Sequence, residues 1–230
     1  MPKRNDYSHK GSFGSALILA GSQSYTGAAL LSGKACLRSG VGLVEMAVPK
    51  SLHAVLAGHL PEAIWSVLPE DEGGLCPESL AQIDKELSHK TGLLIGPGIG
   101  LTEVSRAFGE QLILDILPKH AKLPTVIDAD MLTILSGIEN WRQYLPQNTV
   151  LTPHPGEMAR LTGLSREEIQ ANRLEIAHTF AIENRVILVL KGADTLVSSP
   201  NGTTHLLPFA NAVLAHAGSG DVLAGMLTGL

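Results

Sequence analysis

Short apolar runs alternate with longer stretches of helical periodicity along almost the whole chain. Runs suited to buried strands stand at Ala16–Ala20, Leu43–Val48, Leu93–Ile95, Thr125–Ile127, Val150–Leu151 and Val186–Leu190. Between them the spacing predicts helices over Gly27–Ser39, Pro77–Ser88, Glu103–Leu117, Met131–Ser136, Gly156–Thr162 and Ser165–Glu183. Ser165-Arg166-Glu167-Glu168 is a capping-box pattern at the start of the last of these. Thr195–Val197 and Thr204–Leu207 flank Ser-Pro-Asn-Gly, a turn sequence that predicts a β-hairpin.

Alternation of this kind belongs to the α/β class, with a mostly parallel sheet covered on both faces as a three-layer α/β/α sandwich. No internal repeat, low-complexity tract or charge run interrupts it. Glu70-Asp71-Glu72-Gly73-Gly74 reads as a polar surface loop rather than a linker, so residues 1–230 are expected to form a single domain. A last apolar helix opens near Asp221 and is still running at Leu230. A sheet of this type normally receives at least one more helix, and a truncated chain is therefore expected.

Composition narrows the function classes. Aromatic residues are only 4% against 44% hydrophobic overall, and there are 24 glycines, which suits many tight turns between α/β elements. The net charge of −5 comes without a basic stripe, which argues against nucleic acid as a partner. Cys36 and Cys76 are too few and too far apart for a disulfide framework or zinc site. Lys3, Arg4 and Lys10 precede Ala16–Ala20, but that apolar run is too short for a secretory leader. No stretch is long enough to cross a membrane. A soluble, cytoplasmic protein is expected.

The densest chemistry lies near the end of the chain. Gly218-Ser219-Gly220-Asp221 opens directly into an apolar helix. The first amides of a helix lack intrahelical acceptors and carry the positive end of its dipole, so a glycine-rich start suits phosphate. Asp221 beside that phosphate can take a proton from an attacking hydroxyl; alone, it reads equally as a helix cap. Other glycine-rich or polar segments follow the strand runs: Ala20-Gly21-Ser22, Gly96-Pro97-Gly98-Ile99-Gly100, Asp128-Ala129-Asp130, Thr152-Pro153-His154-Pro155-Gly156-Glu157 and Lys191-Gly192-Ala193-Asp194-Thr195. At the carboxyl edge of a parallel sheet they describe one cleft.

Two nucleotide motifs fail on inspection. Gly27 to Ala35 has the wrong glycine spacing for a Walker A loop and ends in Ala, and Gly96–Gly100 has Leu101 where a dinucleotide fingerprint needs glycine. Lys191 is a candidate phosphate cation, or a solvated lysine at a strand end. His154, between two prolines, is a substrate contact or a turn residue. Asp128 and Asp130 are able to hold Mg²⁺ through water, although Asp130 also suits a helix cap. His53, His59, His89, His120 and His178 have no partner at ligand spacing and read as structural.

Taken in order, His9-Lys10-Gly11-Ser12-Phe13-Gly14, Leu19-Ala20-Gly21-Ser22, Tyr25-Thr26-Gly27-Ala28-Ala29, Gly96–Gly100, Asp128–Asp130, Leu151–Glu157, Lys191-Gly192 and Gly218–Asp221 resemble the ADP/ATP-dependent NAD(P)H-hydrate dehydratases of the ribokinase-like superfamily. The resemblance runs from about residue 9 to the end. It implies a ribokinase-like fold and repair of hydrated NADH or NADPH, with a phosphoryl group transferred to the C6 hydroxyl and then eliminated as phosphate. It implies Asp221 as the base and Gly218, Ser219 and Gly220 as the phosphoryl cradle. Lys191, Gly192, Ala193, Asp194 and Thr195, with Gly220, would contact the adenylate of the donor. Ala28, Gly98 or Gly100, His154 and Asp221 would line the hydrated-nicotinamide site. ADP serves bacterial members and ATP eukaryotic ones, with Mg²⁺ as cofactor and no residue assigned as a direct metal ligand. Relatives often assemble as homo-oligomers, tetramers among them. The alternatives are a kinase of the same superfamily for a vitamin-precursor alcohol and a silent nucleotide-binding module. The H-K-G-x-x-G and T-P-H-P-G-E strings favour the dehydratase at the acceptor pocket.

Overall fold

The computed structural model describes residues 6–230. Lys3 and Arg4, weighed above as part of a leader, lie outside the described residues. The strands are β1 (Ser15–Leu19), β2 (Leu43–Pro49), β3 (Ile64–Leu68), β4 (Glu70–Asp71), β5 (Gly74–Leu75), β6 (Gly92–Ile95), β7 (Thr125–Ile127), β8 (Thr149–Leu151), β9 (Ile187–Leu190), β10 (Thr195–Ser198) and β11 (Thr204–Leu207). The helices are α1 (Thr26–Ser39), α2 (Lys50–Leu56), α3 (Leu80–Leu87), α4 (Glu103–Gln111), α5 (Asp130–Leu135), α6 (Pro155–Thr162), α7 (Arg166–Ala171), α8 (Arg173–Asn184) and α9 (Ser219–Gly229).

One nine-stranded sheet runs in the order β11-β10-β9-β8-β7-β6-β1-β2-β3. Every pairing from β3 across to β9 is parallel, and β10 and β11 add an antiparallel hairpin at one side. Strand β1 explains the layering. Ala16, Ile18 and Ala20 pack with Ala29 and Cys36 of α1, Leu52 of α2 and Ala224 of α9. Leu17 and Leu19 belong to the cluster on the other face, which takes in Ile83 of α3, Phe108 of α4, Leu132 of α5, Met158 of α6 and Ala177 of α8. Successive residues of a strand face opposite sides, so an unbroken apolar run is what a strand buried on both faces requires. The three-layer α/β/α sandwich is the architecture expected. A buried Leu or Ile contributes roughly 1.5–3 kcal/mol over an exposed one, so these two clusters hold the layers together.

The departures have local causes. Strand β3 and helix α2 were not anticipated; β3 is an edge strand whose Ile64 and Val67 are exposed, so it lacks the continuous apolar run that marks the central strands. Glu70–Gly74 closes as the tight β4–β5 hairpin, with Glu72 at φ 48° and Gly73 at φ 72°. The helix expected over Ser165–Glu183 begins on its capping box, where Ser165 Oγ accepts from the Glu168 amide at 3.2 Å. It then breaks at Asn172 (φ −128°, ψ 34°) into α7 and α8.

Helices α1 and α9 touch backbone to backbone. A Cβ on Gly225 would lie 2.2 Å from the Ser32 carbonyl oxygen, and one on Gly229 would lie 2.4 Å from that of Cys36. Gly225→Ala is therefore expected to lower stability by roughly 1–3 kcal/mol through overpacking. Gly27→Ala, whose Cβ meets nothing within 4 Å, should be neutral or stabilising by up to about 1 kcal/mol. Urea unfolding of both variants checks the contrast; equal effects would contradict the backbone contact.

Candidate active site

Because β1, β6, β7, β8 and β9 are parallel, the segments that follow them emerge on one edge. Backbone bonds carry the sheet order a step past the strands. The Gly21 amide donates to Pro97 (2.8 Å), Asp128 to Ile95 (3.1 Å), Thr152 to Ile127 (3.2 Å) and Lys191 to Pro153 (2.9 Å). The polar segments singled out in the sequence thus line one cleft.

Asp128 is its centre. It is 1% exposed, and its Oδ1 accepts from Thr152 Oγ1 and from Lys191 Nζ, both at 2.7 Å. Lys191 is therefore not a solvated strand-end lysine, because its ammonium is paired with a buried carboxylate. Glu157 Oε2 lies 3.8 Å from the same Nζ.

Across from this pair stands the start of α9. Gly218 is the N-cap, and the first intrahelical bond runs from the Val222 amide to the Gly218 carbonyl at 3.0 Å. The amides of Ser219, Gly220 and Asp221 precede it and have no intrahelical acceptor. A Cβ on Gly220 would lie 3.5 Å from Lys191 Nζ and 3.9 Å from Asp128 Oδ2, so the start of α9 and the ion pair face each other at van der Waals range. Asp221 sits in the first turn and its side chain caps nothing. The capping alternative is thereby removed. Burial, reinforced by Asp128 and then Asp130, lifts the Asp221 carboxyl above its usual range, while Lys191 opposes the rise.

His154 is the N-cap of α6. Its Nδ1 accepts from the amides of Gly156 (2.9 Å) and Glu157 (3.3 Å), and Glu157 Oε2 accepts from the His154 amide at 2.7 Å, closing a capping box. It is therefore more than a turn residue. Burial, with Lys191, Arg160 and Arg166, keeps the ring below its usual pKa and favours the neutral form. With Nδ1 committed as acceptor, the ring proton belongs on Nε2.

Ala28 and Gly98 also meet: a Cβ on Gly98 would lie 2.8 Å from that of Ala28. Gly100 donates its amide to Asp130 Oδ2 at 2.9 Å. Asp130 lies just inside α5, behind Ala129 at φ 54°, and its carboxylate serves the glycine loop instead of capping the helix. The turn Gly192–Asp194 lies exposed beside Lys191 and Thr195.

The His9–Gly14 string does not join the cleft. It forms a 3-10 turn ahead of β1, at the opposite edge of the sheet, where the Gly42 amide donates to Phe13 (3.0 Å) and Leu43 to Gly14 (3.2 Å). A Cβ on Gly42 would fall 1.7 Å from the Lys10 carbonyl, so this motif packs the chain start against the turn before β2. Its place before the first strand, rather than after one, is the signal that separates it from the site. Three of the other histidines have ordinary partners: His120 Nε2 lies 2.7 Å from Asp84 Oδ1, His53 packs edge-on to Trp65, and His178 Nδ1 lies 3.3 Å from Thr204 Oγ1. Among the described residues no cluster of three His, Cys, Asp or Glu groups forms a ready metal cage, and no helix is long and apolar enough to cross a membrane.

Comparison with known proteins agrees with this geometry. Residues 16–230 match the carbohydrate-kinase-type family model described as NAD(P)H-hydrate dehydratase. The chain belongs to the NAD(P)H-hydrate dehydratase family. It is 39% identical to the bifunctional NAD(P)H-hydrate repair enzyme Nnr of Moorella thermoacetica, over 100% of this chain and 43% of that protein. It thus spans less than half the length of that relative. It is 34% identical to the ADP-dependent (S)-NAD(P)H-hydrate dehydratase of Bacillus subtilis, covering 100% of this chain and 76% of the relative. A crystal structure of the B. subtilis enzyme, co-crystallised with ATP/Mg²⁺, superimposes with a TM-score of 0.79 over 100% of this chain and 76% of that one. A ribokinase-like superfamily protein of Enterococcus faecalis gives 0.80 at 27% identity, covering 99% and 74%. The fold is ribokinase-like.

Within this dehydratase-family cleft, Arg173 beneath the 190–194 turn lay outside the sequence-based site, while Thr152 on Asp128 and Glu157 beside Lys191 stood in a segment placed at the cleft without a role of their own. Only Glu157 carried a signal, the H-x-x-E spacing of a capping box. Its carboxyl is buried, which pushes it up to about 7 from an ordinary 4.5, against the pull of Lys191 and the His154 amide. Between those values the unfolded chain ionises first, so the folded state binds more protons and stability falls as pH rises from about 4.5 to about 7. Above that it is flat. Glu157→Gln removes this slope. Relative to the unsubstituted chain it should gain on the order of 3 kcal/mol across that window, read from urea unfolding at its two ends. A pH-independent difference would contradict the buried, protonatable carboxyl.

Proposed function

We propose that this chain restores NADH or NADPH from its hydrated form, with ADP or ATP as phosphoryl donor. The observation that carries the reading is the facing of two elements: the open amides of Ser219 to Asp221 on one side, and Lys191 on buried Asp128 on the other. An anion between them meets donors from both, and Asp221 stands at its edge. Hydroxide is a poor leaving group, so the reaction first makes it a better one. The Asp221 carboxylate takes the proton of the C6 hydroxyl as that oxygen attacks the terminal phosphorus of the donor, and AMP or ADP departs. The ring nitrogen then expels phosphate from C6, C5 gives up a proton, and the dihydropyridine is restored. A desolvated Asp221 with a raised pKa is a stronger base than a free aspartate, which suits that transfer.

His154, with its proton on Nε2, offers the hydrated nicotinamide a neutral donor, and Ala28, Gly98 and Gly100 leave room for a flat ring. Lys191 to Thr195 receive the adenylate. Mg²⁺ fits the donor set present: Asp128, Asp130 and Asp221 are hard oxygen donors close enough together for the first two to act on the charge of the third. With no direct cage among the described residues, Asp128 and Asp130 would hold the ion through water, where it neutralises charge on the donor phosphates. The reading extends to one ribokinase-like domain over residues 1–230, to a homo-oligomer such as a tetramer, and to the cytoplasm, a setting that the free, buried Cys36 and Cys76 suit.

The test adds the protein to hydrated NADH with Mg²⁺, with ADP and ATP in separate reactions, and follows the near-ultraviolet absorbance of reduced nicotinamide. A nucleotide-dependent rise is expected, and Asp221→Asn should reduce its rate about 10²- to 10⁴-fold. No rise from folded protein would move the assignment to phosphorylation of a vitamin-precursor alcohol.

A further inference from the structure

Arg173 opens α8 directly after the break at Asn172, and its guanidinium reaches out of its own helix to the end of β9. Nη2 donates to the carbonyls of Leu190 (3.2 Å), Lys191 (3.4 Å) and Asp194 (3.5 Å), and Nη1 to Gln170 Oε1 (3.3 Å). Gly192 lies over the same group, where a Cβ would stand 3.2 Å from both Nη1 and Nη2. This turn needs holding. Gly192 has φ 144° and Asp194 φ 57°, conformations that side-chain-bearing residues seldom adopt. Residues 192–194 are exposed, and Thr195 Oγ1 to the Gly192 carbonyl (2.9 Å) is a single brace across them.

Charge and geometry give the arginine a specific task. The two N–H groups of Nη2 are shared among the three carbonyls while Nη1 is held by Gln170, and an ammonium on a flexible stem cannot reproduce that fixed, planar pair of nitrogens. In a trans peptide the amide points opposite to the carbonyl. With the Lys191 carbonyl drawn to Arg173, the Gly192 amide is turned to the other side. We propose that Arg173 is the positioning residue of the nucleotide turn. It binds three of the turn's carbonyls from behind, which fixes the path of Lys191 and directs the Gly192 amide toward an adenine nucleotide diphosphate or triphosphate that Arg173 itself does not touch. The inference rests on the functional reading above, since it takes residues 191–195 as the donor's site.

Direct binding, rather than turnover, separates the two claims. Calorimetric titration with ADP and ATP, each with Mg²⁺, and separately with NADH as a probe of the acceptor site, is made on the unsubstituted protein, Arg173→Lys, Gly192→Ala and the double variant. Circular dichroism and thermal melting establish that each is folded. Arg173→Lys is expected to weaken both nucleotides about tenfold with NADH affinity unchanged. Gly192→Ala, which keeps the arginine but presses a Cβ against its guanidinium and carries the test if the lysine variant unfolds, should shift affinity the same way. The double variant should lose less than the combined effect of the two, because both act on one contact. In turnover the nucleotide KM should rise with kcat little changed. Undiminished nucleotide binding in folded Arg173→Lys, equal weakening of NADH, or full additivity would each overturn the proposal. Failure of the unsubstituted protein to bind either nucleotide would overturn the functional reading, and this inference with it.

Discussion

A carboxylate withdrawn from water has to be met by donors, and the cleft is organised around one that is. Asp128 follows β7, Thr152 follows β8 and Lys191 follows β9, so three adjacent parallel strands each deliver one member of the hydrogen-bonded set. Removing one partner of a buried ion pair typically costs about 3–5 kcal/mol, because the remaining charge is left uncompensated. The set therefore fixes the relative position of three loops as well as the sign of the field above them. Glu157 sits at its margin as a carboxyl that burial keeps near neutrality, which spares the site a further full negative charge.

The opposing wall depends on helix packing. Close contact of Gly225 and Gly229 in α9 with the carbonyls of Ser32 and Cys36 in α1 sets the height and tilt of α9. The start of that helix then falls over the Lys191–Asp128 pair, close enough that a Cβ at position 220 would touch both side chains. Core packing, a buried ion pair and a helix terminus thus converge on one gap, and each is indifferent to the identity of the ligand. On the proposed function, ligand specificity would fall to the residues at the rim: the His154 ring with its committed Nδ1, the small Ala28 and Gly98, and the 191–195 turn.

Much of this was legible in the chain. A two-faced buried strand writes itself as a continuous apolar run, so β1, β2, β6, β7, β8 and β9 could be placed, and glycine-rich segments after parallel strands have to share an edge. Edge strand β3 was not legible, because half exposure breaks its run. The break at Asn172 was hidden by helical periodicity on both sides of it, and with it went the position of Arg173. The behaviour of Asp128 and Glu157 was not legible, because burial, which decides it, is a property of neighbours that no local pattern encodes. His9–Gly14 misled in the opposite direction: a string that marks the family serves the packing of the chain start, at the far edge from the cleft.

The central claim is that the hydroxyl oxygen leaves bonded to phosphorus. Hydrated NADH carrying ¹⁸O in its C6 hydroxyl, turned over with unlabelled nucleotide and water, tests it by mass spectrometry of the inorganic phosphate released. The account predicts the label in that phosphate, one atom for each NADH formed. Label recovered in water, with unlabelled phosphate, would mean that the hydroxyl departs without being phosphorylated, and would contradict the account.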